Sequence, residues 1–488
     1  MAKSILVIDE GTTSTRAMLF SAAGQPLASA QRSLEQYYPA PGLVEHDAAE
    51  IWEKTLEAAR EMVVRAGGPG QVAAIGITNQ RETVVAWNRT TGEAVGRAIV
   101  WQDRRTADRC AELREAGHEA AIQSKTGLLL DPYFSATKME WMLHHRPELR
   151  ENAADTAFGT IDSWLIWNLT GGKIHATDAT NASRTMLMAL GGAGWDPGLC
   201  SLFGIDPATL PAIVDCSGQI GLTDPDLFGA AIPICGSAGD QQAATIGQGC
   251  LRRGGTKATF GTGAFVLTNS GDEAPVSANR LLSTVLTQQG GRRSYALEGS
   301  IFVAGSLMQW LRDSVGMLVN AAQSEELARS VPDNGGVYMV PALSGLGAPH
   351  WRPEARGLIQ GISFATTRAH IVRAALEAQA HQVHDLMEAF AADGVRWESV
   401  RIDGGMVAND WLAQDLADIL NLPVERPAFV ETTALGAAML AAVGAGLYPD
   451  LQSATAAMRG PVTIFEPKMD QAERRRRLEG WRKALSLV

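Results

Sequence analysis

The chain has 488 residues, 46% of them apolar and 19% charged, a globular composition with enough apolar material for two large cores, so two domains are expected. Its 42 Lys and Arg against 53 Asp and Glu give a formal charge of −11, which excludes a global attraction to nucleic acid or an anionic membrane; any bound phosphate must meet local donors. Lys3 before the short apolar run Ile5 to Ile8 makes neither a secretory leader nor a membrane span, and the cysteines at 110, 200, 216, 235 and 250 form no Cys-x-x-Cys pair. Reduced, mostly buried thiols and a cytoplasmic protein without membrane insertion are expected, with the sequons at Asn88, Asn168 and Asn181 as chance matches.

In chain order, Ser4 to Asp9 is a β-rich run, Glu10-Gly11-Thr12-Thr13-Ser14 a polar turn, and Arg16 to Phe20 a second strand. Ile51 to Val64 carries Ile51, Trp52, Leu56, Ala59 and Val63 at the spacing of a helix buried on one side. Val72 to Thr78 reads as a strand. Ala231 to Cys235 reads as a short strand that breaks at Gly236, with Asp240 where it gives way to the helical Ala243 to Gly247. The glycine-flanked Gly249 to Gly255 marks a boundary, giving domains 1–249 and 250–488. Lys257 to Phe260, Gly261-Thr262-Gly263 and Ala264 to Thr268 repeat the first hairpin, which suggests two related domains facing each other. Ile371 to Phe390 and Trp411 to Leu420 read as helices, Val400 to Asp403 as a strand and Ala434 to Val443 as a small-residue helix, so both halves are α/β. Arg474 to Arg477, beside Glu473 and Glu479, read as a solvated helix face.

No Gly-x4-Gly-Lys-Ser/Thr loop is present, and no strand leads into Gly-x-Gly-x-x-Gly. Phosphate must be held another way. Asp9 to Ser14 offers exposed backbone N–H groups and three hydroxyls for phosphate oxygens, with Asp9 able to approach a hydrated Mg²⁺. Gly261-Thr262-Gly263 offers a second such turn, and Asp403-Gly404-Gly405 lets backbone approach a flat ligand such as adenosine. Together the three resemble the phosphate and adenosine loops of the actin, Hsp70 and sugar kinase superfamily. Asp240 can be the carboxylate that orients and deprotonates an acceptor hydroxyl, or a helix N-cap. Thr78-Asn79-Gln80-Arg81-Glu82-Thr83 and Trp101-Gln102-Asp103-Arg104-Arg105-Thr106 combine fixed donors and acceptors with an aromatic wall, as polyol recognition requires.

With Asp131-Pro132-Tyr133-Phe134-Ser135, Asn181 to Met186, Ala238 to Gln242 and Gly345-Leu346-Gly347-Ala348-Pro349, these segments resemble, in order over nearly the whole chain, the glycerol kinase branch of the FGGY carbohydrate kinases. The resemblance implies two ribonuclease H-like, actin-type ATPase domains facing each other across a cleft that closes on glycerol and MgATP, and often a homodimer or homotetramer. Arg81, Glu82, Tyr133, Asp240 and Gln241 would hydrogen-bond glycerol, Trp101 and Phe265 would pack on its carbons, and Asp240 would be the general base. Thr12, Thr13, Ser14 and Arg16 would face the phosphates of ATP with Thr262 opposite; Gly305, Gln309, Gly405 and Asn409 would border ADP; Asp9 and Asp240 would lie near Mg²⁺. An FGGY kinase for erythritol, xylulose or gluconate would share every ATP feature, and an actin- or Hsp70-like ATP-driven binding protein would share the loops. Two departures bear on regulation: Asp224 to Ile232 lacks Arg and Lys, and no histidine falls between His175 and His350. The implied controls by fructose 1,6-bisphosphate and by histidine phosphorylation are therefore expected to be absent. Glu10 stands where these kinases commonly carry glutamine; beside triphosphate it must point away, join the Mg²⁺ shell or have its pKa raised.

Overall fold

The computed structural model describes residues 3–488. The first sheet is built from β1 (Ser4–Glu10), β2 (Ser14–Phe20), β3 (Pro26–Ser33), β4 (Val72–Asn79), β5 (Ser217–Leu222) and β6 (Pro233–Gly239), in the order β5-β6-β4-β1-β2-β3. β1, β4 and β6 are parallel, and the hairpin strands and β5 are antiparallel to their neighbours. β1 is a continuous apolar run because both of its faces are covered. Leu6 and Ile8 pack on helix α1 (Ala48–Arg65), whose first turn is capped by Asp47, and Ile5 and Val7 face the opposite layer. Helix α2 (Asp240–Gly247) follows directly from β6.

The second sheet takes β7 (Thr256–Phe260), β8 (Ala264–Gly271), β9 (Leu282–Gln289) and β10 (Arg292–Ile301), followed by helices α3 (Gly305–Asp313) and α4 (Arg368–Ala392). β11 (Val400–Asp403), α5 (Asp410–Leu420), β12 (Val424–Pro427), α6 (Thr432–Gly444), β13 (Val462–Phe465) and α7 (Gln471–Leu485) complete it. The order β9-β10-β8-β7-β11-β12-β13 reproduces the first sheet once β9 is set aside. In both, an antiparallel hairpin and third strand flank a first strand that pairs in parallel with a second, which pairs in parallel with another, closed by an antiparallel edge. The expected pair of similar α/β units is what the chain forms.

Helix α6 departs from the simple division of the chain. Its Ala434, Ala437, Ala438 and Ala441 join Ile5, Val7, Ala74 and Ala238 in one core, so a late segment covers the first sheet. Small residues are required there: a Cβ on Gly436 would lie 1.8 Å from the Ala243 carbonyl oxygen, so α6 and α2 cross at backbone contact.

Two local readings are corrected. β6 does not break at Gly236 but runs to Gly239, because Gly236 to Gly239 pair in register with Gly76 to Asn79 of β4; ladder pairing overrides the weak strand preference of glycine. The Arg474 to Arg477 run is not wholly solvated. Arg477 is buried on α7, its guanidinium bidentate on Asp415 (2.5 and 3.0 Å), and Arg474 donates to the Ile419 carbonyl. All five cysteines are buried and free, and no helix among the described residues is long and apolar enough to cross a membrane.

Candidate active site

The carboxyl ends of parallel strands are where open α/β sheets collect ligand-binding residues, since the loops leaving them converge. In the first sheet the register Asp9↔Thr78, Glu10↔Asn79 and Gly239↔Asn79 brings the ends of β1, β4 and β6 level. Asp9, Arg81 with Glu82, and Asp240 therefore emerge side by side. Asp240 opens α2, with Gly239 in the cap position, so it is not the N-cap that its local sequence also allowed. Its Oδ1 accepts from the Gln241 backbone N–H (2.7 Å) and faces Arg81 Nε (3.2 Å); its Oδ2 accepts from Gln241 Nε2 (3.2 Å). The side chain remains 34% exposed.

Arg81 and Glu82 are buried in a cluster of four charges. Arg81 is bidentate on Glu298 (2.6 and 3.2 Å), and Arg184 joins Glu82 (2.5 Å) to Glu298 (3.1 Å). The two guanidinium groups hold the Glu298 carboxyl at about 2, overcoming burial that would raise it. Burial raises Glu82 instead, against Arg184 and Arg81. Glu82 has φ +65°, a strained conformation for a non-glycine residue, at the place where its carboxylate must turn into this cluster. Arg184 lies 5.5 Å above the Tyr133 ring, and the Tyr133 ring meets Trp101 edge-on at 5.6 Å. Burial and the Glu82 carboxylate keep the Tyr133 hydroxyl well above its ordinary pKa, so it is a neutral donor.

The sequence reading left Glu298 unmentioned and gave Arg184 and Lys257 no role. Arg184 lies inside the segment Asn181 to Met186; the available signal for the other two was a charge within an apolar strand, Tyr295 to Ile301 and Thr256 to Phe260. The pairings Lys257↔Leu267, Thr259↔Phe265, Leu267↔Glu298 and Phe265↔Ser300 put Lys257, Phe265 and Glu298 on one sheet face. That face is turned toward the first domain, since Lys257 Nζ donates to Gln241 Oε1 (2.5 Å) while Glu298 receives Arg81.

The first phosphate turn is closed by Gly11 N–H to the Ser14 carbonyl (3.0 Å), and Gln80 Nε2 ties the Gly11 carbonyl to the β4 loop (3.0 Å). Trp101 Nε1 donates to Thr12 Oγ1 (2.9 Å), linking the aromatic wall to this turn. Thr13 presents its carbonyl to Leu34 N–H, Ser14 Oγ receives Gln31 Nε2 (2.8 Å), and Arg16 pairs with Glu431 across the domains (2.7 Å). Asp9 is pushed up to about 7, chiefly by burial, with Arg16 opposing and Asp240 and Glu431 adding. Asp9 and Asp240 thus stand close enough to feel each other's charge, and a pair of carboxylates suits a hydrated divalent cation. Glu10 turns away, into the gap under α1. Its Oε2 receives Thr55 Oγ1 (3.2 Å), its Oε1 is buried without a partner among the described residues, and burial raises it to about 8.

In the second sheet, Thr259↔Asp403 sets Gly261-Thr262-Gly263 beside Gly404-Gly405. A cavity of about 400 Å³ is lined by Gly261, Thr262, Gly305, Gln309, Gly405 and Asn409, which brings five expected nucleotide residues together. Gly404 is at φ +93°, and a Cβ there would meet the Phe260 carbonyl oxygen at 2.4 Å, whereas the space before Gly405 is open. A wider hollow of about 590 Å³ lies at the far end of β8, beside Arg253 and Asp393, away from both sets of strand ends. Of the Trp101 to Thr106 segment only Trp101 reaches the site; Asp103, Arg105 and Glu45 form a structural ion-pair group, and Arg104 pairs with Asp131.

Paired actin-like sheets with a carboxylate at one set of strand ends and a nucleotide-sized cavity at the other define a phosphotransferase of the sugar kinase type. The family models agree: the FGGY family of carbohydrate kinases, N-terminal domain, matches residues 4–247, and the FGGY family of carbohydrate kinases, C-terminal domain, matches residues 256–445. The chain belongs to the FGGY family of carbohydrate kinases. Within the family it is similar to the glycerol kinase of Rhodospirillum rubrum, 53% identical over 99% of this chain and 98% of that protein. The glycerol kinase of Gluconobacter oxydans is 52% identical over 99% of this chain and 94% of its own length. Among solved structures, Plasmodium falciparum glycerol kinase with ADP superposes with a TM-score of 0.94 at 36% identity, covering 100% of this chain and 98% of that one.

Proposed function

We propose that the protein transfers the γ-phosphoryl group of MgATP to a terminal hydroxyl of glycerol, forming sn-glycerol 3-phosphate and ADP. The observation that carries this reading is Asp240, whose two oxygens are held by Arg81 and Gln241 while its side chain stays partly exposed; the glycerol kinase relatives support it at full length. Asp240 accepts the hydroxyl proton as the acceptor oxygen attacks the γ-phosphorus in line and ADP leaves. Arg81, Glu82, Tyr133 and Gln241 supply the donors and acceptors for the three hydroxyls, and Trp101 and Phe265 the apolar wall. Thr12, Thr13, Ser14 and Arg16 approach the phosphates from one domain and Thr262 from the other, with Gly305, Gln309, Gly405 and Asn409 around the nucleoside. Asp9 and Asp240 would hold Mg²⁺, which neutralises phosphate charge when bound. Domains divided at 249/250 and a cytoplasmic location complete the reading.

The test is a coupled ADP-release assay with MgATP, comparing glycerol, erythritol, xylulose, gluconate, 1,2-propanediol and no acceptor. Glycerol-dependent release well above the others is expected. 1,2-Propanediol should fall behind by about 10⁴-fold in kcat/KM, because a missing hydroxyl leaves buried polar groups unpaired. Preference for a four- or five-carbon acceptor would replace the substrate and keep the ATP half.

A further inference from the structure

Glu298 makes no contact that the proposed chemistry requires, yet it is buried completely inside the site. It stands on β10, in the second sheet, and both of its ion-pair partners, Arg81 and Arg184, belong to the first half of the chain. Its two oxygens take Arg81 Nη1 and Nη2 at 2.6 and 3.2 Å. A guanidinium is a rigid planar fork, so fixing both terminal nitrogens fixes the plane and with it the position of the third nitrogen, Nε. That nitrogen lies 3.2 Å from Asp240 Oδ1, an ion-pair contact. Without Glu298 the two terminal nitrogens would be free to turn onto Asp240 or Glu82, and the carboxylate facing the acceptor would lose its set direction.

We propose that Glu298 is a positioning residue for phosphoryl transfer: from the second domain it locks the Arg81 guanidinium, and through it orients Asp240 and the hydroxyl-binding face. The acceptor site is then complete only when the second sheet is docked on the first domain. The neighbouring Lys257 acts in the same sense from the same sheet face, since it holds Gln241 Oε1 while Gln241 Nε2 holds Asp240 Oδ2. The inference rests on the proposed role of Asp240 and adds a residue to it.

The test is a double-mutant cycle on the full chain, with Glu298→Gln, Arg81→Met and the pair, read as kcat and KM for glycerol and for ATP. Glu298→Gln is expected to lower kcat/KM for glycerol by about 10²-fold, the order of loss for a misplaced reacting group, with the ATP KM changed less than about two-fold. In the Arg81→Met background the same change should cost less than about three-fold, since Glu298 works through Arg81. Near-normal kcat/KM in a folded Glu298→Gln protein, equal losses in both backgrounds, or parallel rises in the glycerol and ATP KM would overturn the proposal. If Glu298→Gln does not fold, Glu298→Asp keeps the charge but not the reach and is read in the same cycle with the same criteria. A wild-type protein silent with glycerol but active with a larger acceptor would refute the substrate alone, and the cycle is then run with that acceptor.

Discussion

Glu10 sits one residue from Asp9, yet its side chain enters the gap between β1 and α1 and leaves the phosphate turn to backbone and hydroxyl groups. A neutral carboxyl there places no further charge beside the phosphate turn. Its folded-state pKa is about 8 against an ordinary value of 4.5. The folded protein therefore binds at Glu10 a proton that the unfolded chain releases, and this group's contribution to stability is full below 4.5 and is lost as pH rises toward 8. Glu10→Gln is expected to remove that loss, on the order of 3 kcal/mol at neutral pH. Thermal melts of both proteins between pH 5 and pH 8 (roughly the window of this linkage) should diverge as pH rises; parallel curves would show that Glu10 is charged in both states. Asp240→Asn is expected to lower kcat by about 10²- to 10⁴-fold or more while leaving the ATP KM nearly unchanged, and a normal kcat would remove Asp240 from its role. Glu82→Ala should raise the glycerol KM well above any change in the ATP KM. It should also destabilise by about 3–5 kcal/mol, because Arg184 stays buried short of a carboxylate; melts and initial rates on one preparation separate the two effects.

At the scale of elements, strands and helices with strong periodicity are legible in the chain itself. Val400–Asp403 is read at its observed ends, and Ile51 to Val64 lies inside α1. What fails locally is anything decided by a neighbouring element. β6 continues through Gly236 to Gly239 only because β4 pairs with it. α6 reads as a small-residue helix, but nothing in its own residues names the surface it covers. Its composition follows from the crossing at α2: Gly436→Ala is expected to cost about 1–3 kcal/mol by overpacking two backbones that cannot part locally. A denaturant midpoint equal to wild type would show that the crossing yields.

At the scale of the whole molecule, packing crosses the boundary expected at 249/250, since α6 covers the β1–β4–β6 face from its far side. A fragment 1–249 leaves Ile5, Val7, Ala74 and Ala238 without their partner layer, so it is expected to aggregate more readily than the full chain; a cooperatively melting fragment that aggregates no more than the full chain would contradict this. The nucleotide and acceptor halves of the site are legible as motifs because each is a strand followed by a short loop, whose chemistry is carried by consecutive residues such as Asp9 to Ser14, Arg81-Glu82 and Asp403-Gly404-Gly405. By itself, then, the amino-acid sequence determined the α/β class, the two hairpin units, the loops and the family they resemble, because backbone preference and periodicity act over a few residues. Only the tertiary structure decided that Glu298 meets Arg81 across 217 residues, that Arg184 closes the cluster, that Glu10 turns inward and that Arg477 is buried. Those choices depend on sheet register and domain docking, which join residues whose separation along the chain carries no local signal.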